Sequence, residues 1–203
     1  MNTLGHILLV EDDPALRIIL SSLLKQNAYR VSEANSRISA LELLKLEQSI
    51  EVLILDLGLP PHPHSTDEGI FLLKTLQISF NSVKVIVLTG QDQEAAALEA
   101  VRDGAFDFLA KPARTEDILG AIRRALLFVH KEQELHLQGI TKIAINAQIS
   151  DGLKAVRVDA EEKLVRQILK ETGFNINQCA KRLGVKRENI YYFLKKFGIE
   201  RDA

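Results

Sequence analysis

Short apolar runs at 7–10, 52–55, 83–88 and 106–110, with a more polar one at 29–34, alternate with helical patterns through the first part of the chain. Runs this short fit strands, and alternation with amphipathic helices predicts a parallel sheet covered on both faces. Such a sheet has one chemically useful edge, the carboxyl ends of its strands. The charged residues stand there. Glu11-Asp12-Asp13 follows the first run, Asp56 follows the run at 52–55, and Lys111-Pro112 follows the last.

The intervening segments read as helices. Pro14 suits a first turn, and Leu16, Ile19, Leu20, Leu23 and Leu24 recur at helical spacing. Ser36 is positioned to cap a second helix with Ile38, Leu41, Leu43 and Leu44 inward. Ile70, Leu73 and Leu76 mark a third, the Ala-rich segment 94–102 before Gly104 a fourth, and Thr115-Glu116-Asp117 starts a fifth that carries Ile118, Ile122, Leu126 and Val129. The expected fold is α/β: a five-stranded, doubly wound parallel sheet over 1–130, a linker over 131–158, and a smaller all-α domain over 159–203. Alternation at Ile143, Ile145, Ala147 and Ile149 permits either a hairpin or an extended linker. Beyond it, helices are expected at 161–172, 176–183 and 187–197, separated at Gly173 and Gly184.

Composition narrows the function. With 203 residues and 46% hydrophobic content the chain can bury a core, and no apolar stretch reaches the roughly 18 residues of a membrane span. The N-terminus lacks the basic and small-residue pattern of a secretory signal, so the expectation is a cytoplasmic protein with no membrane partner. The single cysteine, Cys179, excludes an internal disulfide and argues against a thiolate metal site. Charge is uneven. Residues 1–125 carry 12 Lys/Arg against 17 Asp/Glu, net −5, whereas 151–203 carry 12 against 8, net +4. An acidic first part joined to a basic last part predicts that the last part meets a polyanion.

The strand-end residues fit phosphoryl transfer to a carboxylate, which requires a nucleophile, a divalent cation and fixed positive charge. Asp56 is the candidate nucleophile, Glu11 and Asp12 the candidate Mg²⁺ ligands, and Lys111 the cation for the phosphoryl oxygens. Crowded carboxylates should have raised pKa values without the metal. Thr89 offers a hydroxyl to the same group. Any one of these acidic residues alone is more often a turn or helix-cap residue, and Asp13 before Pro14 is read only as a cap. Phe106 is equally well read as a core aromatic.

The motifs Leu8-Leu9-Val10-Glu11-Asp12-Asp13, Leu55-Asp56-Leu57-Gly58-Leu59-Pro60, Leu88-Thr89-Gly90, Gly104-Ala105-Phe106-Asp107-Phe108 and Lys111-Pro112 make residues 4–129 resemble the receiver domain of two-component response regulators. The resemblance implies that Asp56 accepts a phosphoryl group from a sensor histidine kinase. It implies Mg²⁺ held by Asp12, Asp56 and the Gly58 carbonyl, with Glu11 acting through water, and Thr89 and Phe106 as a coupled switch pair. Self-catalysed transfer to and loss from Asp56 would be the only enzymatic steps. One departure stands out: residues 61–68, with His62 and His64 among prolines, lengthen the loop before Gly69. It is read as a stiff flap beside Asp56.

In the last part, Ala180, Leu183, Val185, Ile190 and Leu194 can close a small core around a Gly turn, which leaves Lys186, Arg187 and Asn189 at the start of a second helix. Arg187 can pair with guanine and Asn189 with adenine, while Lys181, Arg182, Lys195 and Lys196 suit phosphates. This part resembles the Fis-type helix-turn-helix of NtrC-family regulators over 161–199. By that resemblance Asn175, Asn177 and Tyr192 join Lys186, Arg187, Asn189, Lys195 and Lys196 in a face for double-stranded DNA. The helix at 161–172 would supply a homodimer interface through Leu164, Val165, Ile168 and Leu169. Tyr192 and Phe193 stand where the family often has basic residues, and Lys186 where Ser or Asn is common. No Gly-x-x-x-x-Gly-Lys-Ser/Thr appears, so the AAA+ ATPase domain usual in that family is not expected. Two other readings have less support: a phosphorylation-gated adaptor that binds protein, and a Mg²⁺-dependent phosphohydrolase, which lacks a second carboxylate at Gly58.

Overall fold

In the computed structural model, which describes residues 3–80, 82–90, 93–140 and 152–200, strands β1 (His6–Val10), β2 (Arg30–Ala34), β3 (Val52–Leu55), β4 (Lys84–Thr89) and β5 (Asp107–Ala110) pair in parallel in the order β2-β1-β3-β4-β5. The helices α1 (Pro14–Gln26), α2 (Arg37–Leu46), α3 (Asp67–Ser79), α4 (Gln93–Arg102) and α5 (Thr115–Leu137) follow the strands in turn. This is the flavodoxin-like, doubly wound architecture that the sequence pattern predicts.

The central strand β3 is wholly apolar, and β1 and β4 nearly so, because both faces are covered, whereas the edge strand β2 is polar and partly exposed; successive side chains take opposite faces. Leu8 and Val10 of β1, Leu53 and Leu55 of β3, and Val85 and Val87 of β4 pack with Ala40, Leu44, Leu72 and Leu76 of α2 and α3. Ile7 and Leu9, Val52 and Ile54, and Ile86 and Leu88 pack with Leu20 and Leu24 of α1 and Ile118 and Ile122 of α5. A one-residue slip of any strand would exchange these two sets, so the core fixes the register that aligns the strand ends.

Local signals set the helix starts. Asp13 Oδ1 accepts from Ala15 N at 2.8 Å and Leu16 N at 3.2 Å, ahead of Pro14 at the first turn. Ser36 and Ser39 form a reciprocal capping box at α2. Two expected inward residues face solvent: Ile19 and Ile38 are each 63% exposed. The stripe of α1 runs through Leu20, Ser21 and Leu24, and that of α2 through Ala40 and Leu44, which turns Ile19 and Ile38 away.

The chain separates into two compact units, Met1–Gln138 and Gly139–Ala203. The second holds α6 (Gly152–Glu171), α7 (Ile176–Leu183) and α8 (Arg187–Lys196). Helices enter both ends of the stretch expected as linker: α5 continues through Leu137, and α6 begins nine residues before the expected start at 161. Polar surface residues in these turns hide a helix from a reading based on apolar spacing. The alternation from Ile143 to Ile149 lies outside the described residues. Among the described residues no helix is long and apolar enough to cross a membrane.

Candidate phosphoacceptor cleft and nucleic-acid interface

Backbone pairing brings the strand ends together. Glu11 N donates to Ala34 O (3.1 Å), Asp56 N to Val10 O (2.9 Å) and Lys111 N to Thr89 O (3.0 Å), so the residue after each of three strands is locked to its neighbour. At this edge Lys111 Nζ donates to Asp56 Oδ2 at 2.6 Å and to Glu11 Oε2 at 2.7 Å. Asp56 Oδ1 accepts from Gly58 N at 3.2 Å. The Lys111–Pro112 peptide is cis.

Glu11 is only 2% exposed, and burial, with Asp56 and Asp12 adding repulsion, pushes its carboxyl up to about 7 against the pull of Lys111. Burial draws the Lys111 ammonium down, but its hydrogen bonds to Asp56 and Glu11 outweigh this and leave it above its usual range. One oxygen from each of Glu11, Asp12 and Asp56 falls within 4.8 Å of the others. A buried carboxylate that resists its own charge, beside two others and an open cleft, fits a hard divalent cation.

The cleft has a volume of about 440 Å³ and is lined by Asp12, Asp56, Gly58, Pro63, His64, Gly90 and Lys111. Thr89 lies fully buried at the end of β4 behind this surface. Phe106 is half-buried, its ring 5.5 Å from that of Phe128 on α5. Sequence reasoning passed over Arg17, whose Nη1 donates to the Glu11 carbonyl at 2.6 Å and the Asp12 carbonyl at 3.3 Å, clamping the acidic turn. Only its position one turn into α1 hinted at this role.

In the second unit, Val165, Ile168, Leu169, Cys179, Ala180 and Ile190 form the core, with Leu183, Val185 and Leu194 packed on it. Gly184 ends α7 at φ 65°, the left-handed conformation that lets α8 turn back across it. This narrows one expectation: of the four residues expected at a dimer interface, Val165, Ile168 and Leu169 are at most 5% exposed within the unit's own core, and Leu164 alone is partly exposed. A three-helix unit of this size needs them inside.

Of the expected DNA-facing residues, Asn177, Lys186, Arg187, Asn189, Tyr192, Lys195 and Lys196 are exposed. Asn175 caps α7, its Oδ1 accepting from Gln178 N at 3.1 Å. Arg187 donates to Tyr191 Oη at 3.1 Å, a partner the sequence did not flag, and this bond holds the guanidinium above its usual range. Lys196 is paired with Glu161, and Arg182 with Glu171.

Two family models match: the response regulator receiver domain over residues 7–123, and the bacterial regulatory protein, Fis family, over 157–197. The response regulator protein TmoT of Ectopseudomonas mendocina is 30% identical over 186 residues, covering 91% of this chain and 76% of TmoT. The transcriptional regulatory protein ZraR of Escherichia coli is 31% identical over 124 residues, but these are 61% of this chain and only 27% of ZraR. Among solved structures, a Burkholderia pseudomallei response regulator described with a phosphorylated aspartic acid, calcium ion and citrate aligns over 90% of this chain and 94% of its own, at 27% identity and a TM-score of 0.53. A Pseudomonas fluorescens receiver domain aligns over 63% of this chain and 98% of its own, at 28% identity and 0.57. With a receiver match across more than half its length and a Fis-family match after it, the chain belongs to the two-component response regulators, as a receiver domain joined to a Fis-type helix-turn-helix.

Proposed function

We propose that Asp56 takes a phosphoryl group from the phosphohistidine of a sensor kinase and that this controls how the helix-turn-helix engages double-stranded DNA. The observation that carries the reading is Lys111 Nζ bridging Asp56 Oδ2 and Glu11 Oε2 at one sheet edge. In the transfer a carboxylate oxygen of Asp56 bonds to phosphorus as the phosphorus–nitrogen bond breaks, and the imidazole leaves with the electron pair. Lys111 then turns from the carboxylates to the phosphoryl oxygens, and the Thr89 hydroxyl takes another. Glu11, Asp12, Asp56 and the Gly58 carbonyl would hold Mg²⁺, which when bound neutralises charge on the phosphoryl group. The phosphorylated aspartate described for the Burkholderia relative supports this assignment. Loss of the group is the reverse in kind: water bonds to phosphorus, the bond to Asp56 breaks, and inorganic phosphate departs.

Withdrawal of Thr89 and Lys111 toward the phosphate leaves room for Phe106 to repack against α5, which changes the outer face of the receiver. We take residues 1–130 as the receiver, 131–158 as a partly helical linker and 159–203 as the DNA-binding module. Lys186, Arg187 and Asn189 enter the major groove, with Asn177, Tyr192, Lys195, Lys196 and the free amide of Asn175 on the backbone. A homodimer reading two half-sites would use the start of α6, where Leu153 is 89% exposed and Val156 and Ala160 follow at helical spacing. Such a regulator works in the cytoplasm.

The test is Mg²⁺-dependent phosphorylation of wild type and Asp56→Asn by a small phosphodonor, with binding to a random duplex pool followed in the same samples. Phosphate on wild type alone, with altered enrichment of a palindromic site, is the expected result. Phosphate on both proteins would remove Asp56 from the role, and phosphorylation without any DNA enrichment would move the module toward protein binding.

A further inference from the structure

Five of the seven residues lining the Asp56 cleft come from strand ends: Asp12, Asp56, Gly58, Gly90 and Lys111. The other two, Pro63 and His64, come from the long loop between β3 and α3. The turn that carries them is closed by Ser65 N donating to His62 O at 2.9 Å, which makes Pro63 and His64 its two central residues. Proline at the first central position presets φ for such a turn.

Both feet of the loop are anchored. Leu57 and Leu59 before it are fully buried. After it, Gly69 is pressed so closely on Leu57 that a Cβ at this position would lie 2.4 Å from the Leu57 Cα. Asp67 N donates to Ser65 Oγ at 3.1 Å, which ties the turn to the first residue of α3. A turn held this way keeps its tip at the cleft.

We infer that Pro63 and His64 form a fixed wall at the mouth of the cleft and that the His64 ring obstructs the approach of water to phosphorus, prolonging the life of the acyl phosphate. The inference rests on the phosphoacceptor role of Asp56. Hydrolysis needs water in line with the bond from phosphorus to Asp56, which the interior of the sheet blocks from behind, so water must enter by the mouth. A small phosphodonor uses the same path. The ring therefore slows both gain and loss of phosphate, and His62, at the base of the turn and away from the cleft, does neither.

The full chain with Mg²⁺ is phosphorylated by phosphoramidate, the donor is removed, and decay is followed by intact mass for wild type, His64→Ala, His64→Phe and His62→Ala. H64A should lose phosphate on the order of tenfold faster, about 1.4 kcal/mol of barrier, and should also load faster. H64F, which restores bulk without ring nitrogens, and H62A should decay like wild type. An H64A decay equal to or slower than wild type overturns the inference, slower decay marking a histidine that assists water. So does an H64F as fast as H64A, or an H62A that decays equally fast, which would indicate a loosened loop. If wild type takes no phosphate, or Asp56→Asn takes it equally, the phosphoacceptor role fails and the inference falls with it. Normal loading with unchanged H64A decay defeats the inference alone.

Discussion

Phe106 and Phe128 meet with ring centroids 5.5 Å apart and planes at 59°, joining the entry to β5 to the outer side of α5. Phe128 is held from its other neighbours too: Lys84 Nζ sits 5.8 Å from its ring and pairs with Glu132 at 2.6 Å. A movement of Phe106 is therefore felt one turn further along α5. Alanine at both positions should show a coupling of about 0.5–1.5 kcal/mol in a double-mutant cycle, read by hydrogen exchange at the sheet amides. Strict additivity would mean that the rings touch without interacting.

Lys111 occupies the carboxylate oxygens that a divalent cation needs. Lys111→Ala should therefore bind Mg²⁺ more tightly in the unphosphorylated chain, by about 1–2 kcal/mol or five- to thirtyfold, while impairing the response to phosphate. Calorimetric titration with Mg²⁺ decides this, and weaker binding would show that Lys111 organises the carboxylates more than it competes for them.

Gly69 has no room for a side chain. Because the obstruction is Leu57 backbone at 2.4 Å, Gly69→Ala should cost about 1–3 kcal/mol or more and shift the urea midpoint of the receiver downward. An unchanged midpoint would mean that α3 slides away freely.

His6 gives the receiver a pH dependence. Its imidazole is 4% exposed, with Ser49 Oγ and Ser32 Oγ each at 2.9 Å. Glu47 at 3.4 Å and Glu51 favour the cation, but burial and the Arg30 charge prevail and hold the group below its usual 6.5. The unfolded chain thus binds the proton more readily, and stability rises with pH through this window. The contribution is complete above 6.5 and is lost as pH falls from there toward the folded value. His6→Asn should flatten the slope of stability below pH 6.5, by at most about 1.36 kcal/mol per pH unit.

On the proposed DNA face, Lys195 is exposed and Lys196 is paired with Glu161. Lys195→Ala should reduce the salt dependence of binding to nonspecific duplex by about one phosphate contact, and Glu161→Gln should steepen it by freeing Lys196. Fluorescence anisotropy across a salt series reads both slopes.

The sheet and the cleft were legible because their signals are local and repeated. Apart from the polar edge strand β2, each strand is a short, mainly apolar run, and Asp56 and Lys111 stand at the first position after one. What was hidden depends on geometry between distant residues. Ile19 and Ile38 look as apolar as Leu20 and Leu44, and only the helix phase set by packing turns them outward. Val165, Ile168 and Leu169 form a face that could equally meet a second copy or the protein's own α7 and α8, and the small core decides. Arg17 acts through backbone carbonyls, and Pro63 and His64 act through a turn whose direction no spacing encodes.

The cross-strand bonds at Glu11, Asp56 and Lys111 have a consequence for synthesis. Asp56 and the lysine that faces it are 55 residues apart in sequence, and Glu11 and that lysine 100. An emerging chain therefore has its aspartate long before it has the cation that makes the aspartate useful. Until β5 docks, there is no cleft to load. The ability to take a signal is thus itself a certificate of a finished sheet, and any ligand held across those three strand ends strengthens the whole receiver against unfolding rather than one edge of it.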